Sequence, residues 1–195
     1  MDALDALLNR VSVPRLREPA PDAAQRELMF RAALRAPDHG QLRPWRFLTI
    51  EGAAREELGE LFARALTAGA GEVGAEALAK ARAMPLRAPL LVVAIARLQE
   101  HPKVPPQEQV IAAGCAAHAI LLAAHVQGVG AVWRTGELAY NAQVAAGLGL
   151  ASDERIVGFL YLGTPERELR TPAPLDVADF VSTWPANAES RSDDL

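Results

Sequence analysis

The chain has 195 residues, half of them hydrophobic, so its length fits one domain with a sizeable core. Its formal net charge is -4 and its pI about 5.6. That acidic balance lacks the electrostatic footprint of a nucleic-acid binder, and no nucleic-acid partner is expected.

The first segment, Asp2 to Asn9, sets Leu4, Leu7 and Leu8 at helical spacing, with Asp early, where it suits the helix dipole. A short helix is expected there, ending before Val11-Ser12. The segment has neither the basic flank nor the apolar stretch of a signal peptide, so a cytoplasmic protein is expected. Asp22 can cap a second helix running to about Arg35, with Leu28, Met29, Ala32 and Ala33 on one face. Pro37 stops it. Trp45 to Ile50 reads as a strand. Ala53 to Ala68 reads as a helix with Leu58, Leu61, Phe62 and Leu66 inward, and Glu72 to Met84 as a second, partly exposed one. Leu90 to Ala96 is an uninterrupted apolar run, short enough to be a central strand.

After a polar loop with three prolines, Gln107 to Gln127 reads as a long helix that is apolar almost all the way round. Such a helix is buried on most faces, in a core or between subunits. Gly, His and Gln interrupt it, so no membrane span is expected. It carries the only cysteine, Cys115, which reads as a small buried hydrophobe, and one cysteine excludes a disulfide framework within the chain. Gly128-Val129-Gly130 ends the helix, Ala131 to Trp133 reads as a strand, Asn141 to Leu148 as a helix and Glu154 to Leu162 as a strand. This order predicts one α+β domain over residues 1–181, a mixed sheet with helices on both faces, followed by a polar tail at 182–195. The long apolar helix predicts a homodimer, with the helix at the interface.

Chemistry-bearing residues cluster in the loop from Arg35 to Phe47, which carries two prolines, a histidine, a tryptophan and three arginines. Loops of this kind on a rigid scaffold often hold binding groups. Arg10 and Ser12 follow the first helix; an arginine fork with a neighbouring hydroxyl suits phosphate, although such residues are more often plain surface. Arg35 also suits a helix C-terminus. His118 and His125 share a helix face. With one cysteine and no nearby carboxylate cluster, no metal site is expected. Gly128-Val129-Gly130 lacks the third glycine of a dinucleotide fingerprint and ends a helix instead of opening one. Gly163-Thr164-Pro165 is compatible with an ordinary strand stop.

Taken together, Asn9-Arg10-Val11-Ser12, Ala36-Pro37-Asp38-His39-Gly40-Gln41-Leu42-Arg43-Pro44-Trp45, Trp133-Arg134-Thr135 and Val157 to Pro165 resemble the flavin-binding nitroreductase family, closest to its small, short-loop members. Val11 stands where close relatives carry a second arginine. Asp38, Gln41 and Arg43 replace the serine, asparagine and glutamine of the common loop. The resemblance implies that Arg10, Val11 and Ser12 grip the FMN phosphate and that Arg134 completes the clamp, beside Trp133 and Thr135. It implies flavin contacts for Arg35 and His39, the latter reaching the flavin of the other subunit, and places Gly163 and Thr164 near the flavin ring. A nicotinamide contact is implied along Ala123, Ala124, His125, Val126, Gln127 and Gly128. The implied activity is ping-pong hydride transfer from NADH or NADPH, through FMN, to a small-molecule acceptor such as a nitroaromatic or quinone. The cofactor carries that chemistry, so no catalytic residue is assigned. The alternative is a flavin-binding sensor or carrier without turnover.

Overall fold

Local sequence chemistry starts the first two helices. Asp2 caps α1 (Ala3–Asn9) by accepting from the Asp5 N–H at 2.9 Å. Asp22 and Gln25 form a reciprocal capping box at the start of α2 (Ala23–Ala33). Between them lies a two-residue strand, β1 (Leu16–Arg17), too short to carry any alternation in the sequence. β2 (Trp45–Glu51), α3 (Ala54–Gly69), α4 (Ala75–Ala83), β3 (Leu90–Arg97), α5 (Pro106–Val126), β4 (Gly130–Arg134), α6 (Ala142–Gly147) and β5 (Glu154–Pro165) follow. The computed structural model describes residues 2–69 and 73–184; Glu72, the expected start of a helix, and most of the expected tail lie outside the described residues.

The sheet is ordered β1-β5-β3-β2, with β4 also paired to β5, and all these pairings are antiparallel. β3 is central, as its unbroken apolar run predicts. The period of two along a strand sends alternate residues to opposite faces. Leu91, Val93 and Ile95 join Leu58, Phe62 and Val144 in one core, beneath α3, α4 and α6. Leu90, Val92, Ala94 and Ala96 join Met29, Ala33, Ala116 and Ile120 in a second core, beneath α2 and α5. Helices therefore flank both faces of an α+β sheet.

The register between β3 and β5 jumps from Ala94↔Gly158 to Ile95↔Ile156. Val157 is the extra residue of this bulge. It resets the alternation, so that Val157 and Gly158 both lie on the α5 side while Ile156 and Phe159 pack on the other.

Two helices leave apolar side chains on the surface of the single chain. The leucines of α1 do not face the core of this chain: Leu4, Leu7 and Leu8 are 67%, 57% and 72% exposed, and Ala6 is the buried residue. α5 is long and apolar enough to cross a membrane by length and composition, yet it packs Ala112, Ala113, Ala116, Ala117, Ile120 and Ala124 onto the sheet. Its other face is open in the single chain, with Ile111 and Val126 exposed and Cys115 half-buried.

Candidate functional site

The loop residue His39 and the residues that follow α1 stand near opposite ends of α5, with Trp133, Arg134 and Thr135 alongside the middle of β5. His39 is exposed and its Nδ1 lies 2.7 Å from Oε2 of Glu108, in the first turn of α5. His125, in the last turn of α5, senses the charge of Arg10. At about 1.5 Å rise per residue, Glu108 and His125 stand roughly 25 Å apart along the helix. The sheet repeats the separation. Trp45, after the loop, pairs with Ala96, whose other partner is Arg155 at the start of β5. Val13, just after Ser12, donates to the Ala131 carbonyl at 2.9 Å, beside the far end of β5. One chain does not bring Arg35 and His39 to Arg10 and Ser12.

At the Arg10 end, the extended segment after α1 lies beside a segment following β5. Between them is a cavity of about 250 Å³, lined by Val11, Ser12, Arg15, Arg167, Glu168 and Arg170 among others. Three arginines against one glutamate, with Ser12 beside them, leave the lining of this cavity net positive, which suits a phosphate group. Sequence reading missed Arg15, Arg167 and Arg170. They stand in loops without periodicity, and only the pairing of β1 with Thr164 and Pro165 brings the two segments together.

β4 splits its two large side chains between the faces of the sheet. Trp133 packs on the α5 side, over Gly158, and its Nε1 donates to the Val157 carbonyl at 3.3 Å. Arg134 lies on the other side, its guanidinium 6.0 Å from the centre of the Tyr161 ring. Burial pushes the Tyr161 hydroxyl pKa up, with Arg87 and Arg134 opposing that shift. Arg134 does not line the cavity beside Ser12. After β4 the chain turns at Gly136, with φ 68 and ψ -177, a backbone region essentially reserved for glycine. The N–H groups of Thr135 and Gly136 have no hydrogen-bond acceptor among the described residues.

The end of α5 is occupied by capping. Gly128, at φ 73, closes the helix: its N–H donates to the His125 carbonyl, and Val129 donates to Ala124, the two bonds of a Schellman motif. Gln127 Nε2 donates to the Ala123 and Gln25 carbonyls, and Ala124 is fully buried. Val126 is exposed. His125 is the unexplained member of this stretch. Its Nε2 is buried without a partner among the described residues, and burial first, then the charge of Arg10, holds the imidazole pKa below its usual range.

Gly163 is glycine for packing, because a Cβ there would meet Pro89 Cδ at 2.6 Å and the Arg17 carbonyl at 3.0 Å. Thr164 ties down the turn after β1 by donating to the Pro19 carbonyl at 2.9 Å.

The loop at the other end is tightly held. Gly40, Gln41 and Arg43 all have positive φ, at 75, 53 and 50. The Asp38 carboxylate accepts from the N–H groups of Leu42 and Arg43, at 3.2 and 2.7 Å. Gln99 donates to the Leu42 carbonyl, and the buried Gln109 in turn clamps the Gln99 backbone. Strained non-glycine residues persist only where surroundings over-determine them, and they concentrate at binding sites. Arg35 and Arg43 line the cavity under this loop.

Comparison with known proteins agrees with this architecture. Residues 7–164 match the Nitroreductase family. The chain is 44% identical over 181 residues to the Putative NAD(P)H nitroreductase YdjA of Escherichia coli (strain K12), covering 92% of this chain and 96% of that protein. Among solved structures, a Nitroreductase-like Family Protein from Bacillus cereus superposes with a TM-score of 0.80 at 22% identity, over 94% of this chain and 96% of the other. A mutant of the FMN and NADPH-dependent nitroreductase NfnB, derived from sphigopyxis sp. strain HMH, gives a TM-score of 0.74 at 21% identity, over 95% of this chain and 99% of the other. With the family match spanning most of the chain and a close relative covering nearly all of it, this protein belongs to the nitroreductase family.

Proposed function

We propose that this chain is an FMN-dependent NAD(P)H oxidoreductase that works as a homodimer. The arginine-lined cavity beside Ser12 carries the reading. Arg15, Arg167 and Arg170, with Arg10 close by, neutralise the cofactor phosphate, and Ser12 adds a donor. The free N–H groups of Thr135 and Gly136 offer two fixed donors for a heteroaromatic edge. The Trp133 indole, locked over Gly158, fixes the end of β4 from which those donors project. When bound, FMN supplies the hydride chemistry, taking a hydride from NADH or NADPH and passing it to a nitroaromatic, quinone or similar small acceptor.

The roughly 25 Å of α5 between Glu108, bonded to His39, and His125, which senses Arg10, supports a site shared by two chains. Arg35 and His39 of one copy would complete the site built by Arg10, Ser12 and Thr135 of the other. The exposed leucines of α1 and the open face of α5 are an apolar surface for that contact. A C₂ pairing presents the same patch twice and makes two equivalent sites.

The test is the visible spectrum of the purified protein, recorded without oxygen before and after NADH or NADPH. A flavin spectrum that bleaches is the expected result. A flavin spectrum that persists with both donors leaves a flavin-binding protein without this turnover, and no flavin after incubation with FMN removes the proposal.

A further inference from the structure

The stretch between α3 and β3 carries no motif, but the fold gives it a place. α4 and the end of α3 close a cavity of about 220 Å³ against the turn that follows β4. Its walls are Leu66, Ala77, Ala81, Met84 and Leu138, and its remaining edge is Thr135 and Gly136, with Lys80 and Glu137 beside them. We propose that this cavity is the acceptor subsite, that it takes a single aromatic or quinone ring, and that Met84 sets the size limit. The inference rests on the function proposed above and adds where the acceptor sits, its one-ring size limit and the wall residue that sets it.

Three observations carry it. The first is location. Thr135 and Gly136 belong both to this cavity and to the strand end that offers free N–H groups to a cofactor, so a ring held here lies beside that cofactor. The glycine conformation at 136 is what turns the chain there. A Cβ at Gly136 would meet nothing within 4 Å, so close packing is not the reason for glycine.

The second is chemistry. Apolar side chains form the walls, and aromatic faces gain most from such surroundings. The larger cavity between α3 and α4, about 820 Å³, is lined by Glu56, Glu57, Glu60, Arg64 and Arg82 and shares no residue with the site, so it does not compete for this role.

The third is size. Sites for drug-sized ligands span roughly 300 to 1,000 Å³, and this one is smaller. Its width is also fixed: a Cβ at Gly59 of α3 would collide with the Arg82 carbonyl of α4, so the two helices are in backbone contact and do not spread easily. Met84, unbranched and half-buried, is the wall residue that can change shape.

The test is calorimetric titration of the oxidised, FMN-loaded protein with neutral, non-reducible probes: benzamide for one ring and anthracene-9-carboxamide for three. Benzamide should bind at least 10-fold more tightly. Met84→Ala should bring the two within about 3-fold. Ala77→Trp, at an exposed position of α4, should fill the cavity and abolish benzamide binding, with the FMN content of the same sample reporting that the variant is folded. In steady-state turnover, nitrobenzene should be preferred over 9-nitroanthracene, with the same loss of preference in Met84→Ala. If NAD(P)H bleaches the flavin but Ala77→Trp binds benzamide as the parent does, or Met84→Ala leaves the preference unchanged, the subsite assignment is wrong and the oxidoreductase reading stands. A protein that binds no flavin overturns both.

Discussion

Replacing Gly158 with alanine tests how the end of β4 is held. Gly158 is on β5, next to the bulge at Val157, and the indole of Trp133 from β4 lies directly over it. An added Cβ would overlap Trp133 Nε1 and stand 2.6 Å from Cδ1 and 3.0 Å from Cε2. The strand cannot give way easily, because Gly158 pairs with Ala94 on β3 and Phe159 with Arg134 on β4. The indole must therefore move, and its bond to the Val157 carbonyl breaks. Overpacking of this kind costs about 1–3 kcal/mol and the lost hydrogen bond about 1 kcal/mol. The lower entropy of the unfolded alanine chain returns about 0.5 kcal/mol.

The net expectation is a loss of about 1.5–3.5 kcal/mol, which for a domain of this size is a fall in Tm of roughly 5–10 °C. Thermal and urea unfolding of Gly158→Ala, Trp133→Phe and the double variant would measure it. The ring of Trp133→Phe is smaller and lacks Nε1, so the double variant should recover at least about 1 kcal/mol relative to additivity. FMN retention should fall in Gly158→Ala, because Trp133 leads into Arg134, Thr135 and Gly136. A Tm within a degree of the parent, or strictly additive effects, would refute this account of the contact.

Other expectations follow from the same geometry. Glu154, its side chain only 7% exposed, accepts from Arg46 Nε and a second Arg46 nitrogen, both at 2.6 Å, with Arg97 at 3.6 Å. The Arg46 hydrogen bonds hold its carboxyl at about 2, from an ordinary 4.5. A lowered folded-state pKa stabilises above the unfolded value, so this contribution, about 3 kcal/mol, is complete above pH ~4.5 and lost as pH falls towards 2. The Tm gap between the parent and Glu154→Gln should therefore be wide at pH 7 and close steadily below about 4.5; a gap that does not change with pH would contradict the assignment. Arg10→Ala with Arg170→Ala removes two charge-assisted contacts at about 1.5–3 kcal/mol each, so FMN affinity should fall at least about 100-fold. An unchanged dissociation constant by fluorescence titration would take the phosphate out of this cavity. Finally, the Arg10→Ala/Ser12→Ala and Arg35→Ala/His39→Ala variants should each bind FMN poorly, while refolding them together should restore about a quarter of the sites, since half the dimers are mixed and each has one intact site. No recovery on mixing would count against a site shared between chains.

Local signals reached far in this chain because they depend on neighbours in sequence. Asp22 and Gln25 start a helix wherever it later packs, and the unbroken run from Leu90 to Ala96 has no partner-independent place except inside a sheet. The loop from Arg35 to Phe47 stood out by composition alone. Direction and convergence were not legible. Periodicity gave α1 an apolar stripe but not the side it faces, because that depends on which neighbour covers it. Arg15 and Arg170 carry no mutual signal across more than 150 residues of sequence; the end of β5 pairing with β1 makes them neighbours. Likewise, Leu66, Met84 and Thr135 line one cavity only because α3, α4 and the turn after β4 stack on the same face of the sheet. Sequence by itself determined the α-helices and the strands longer than β1, and it offered Arg10 and Arg35 but not Arg15, Arg167 or Arg170, since backbone propensity and side-chain chemistry are local. Tertiary structure alone decided which of those residues share a cavity and which stand roughly 25 Å apart, since strand order and helix length are what set distances between segments remote in the chain.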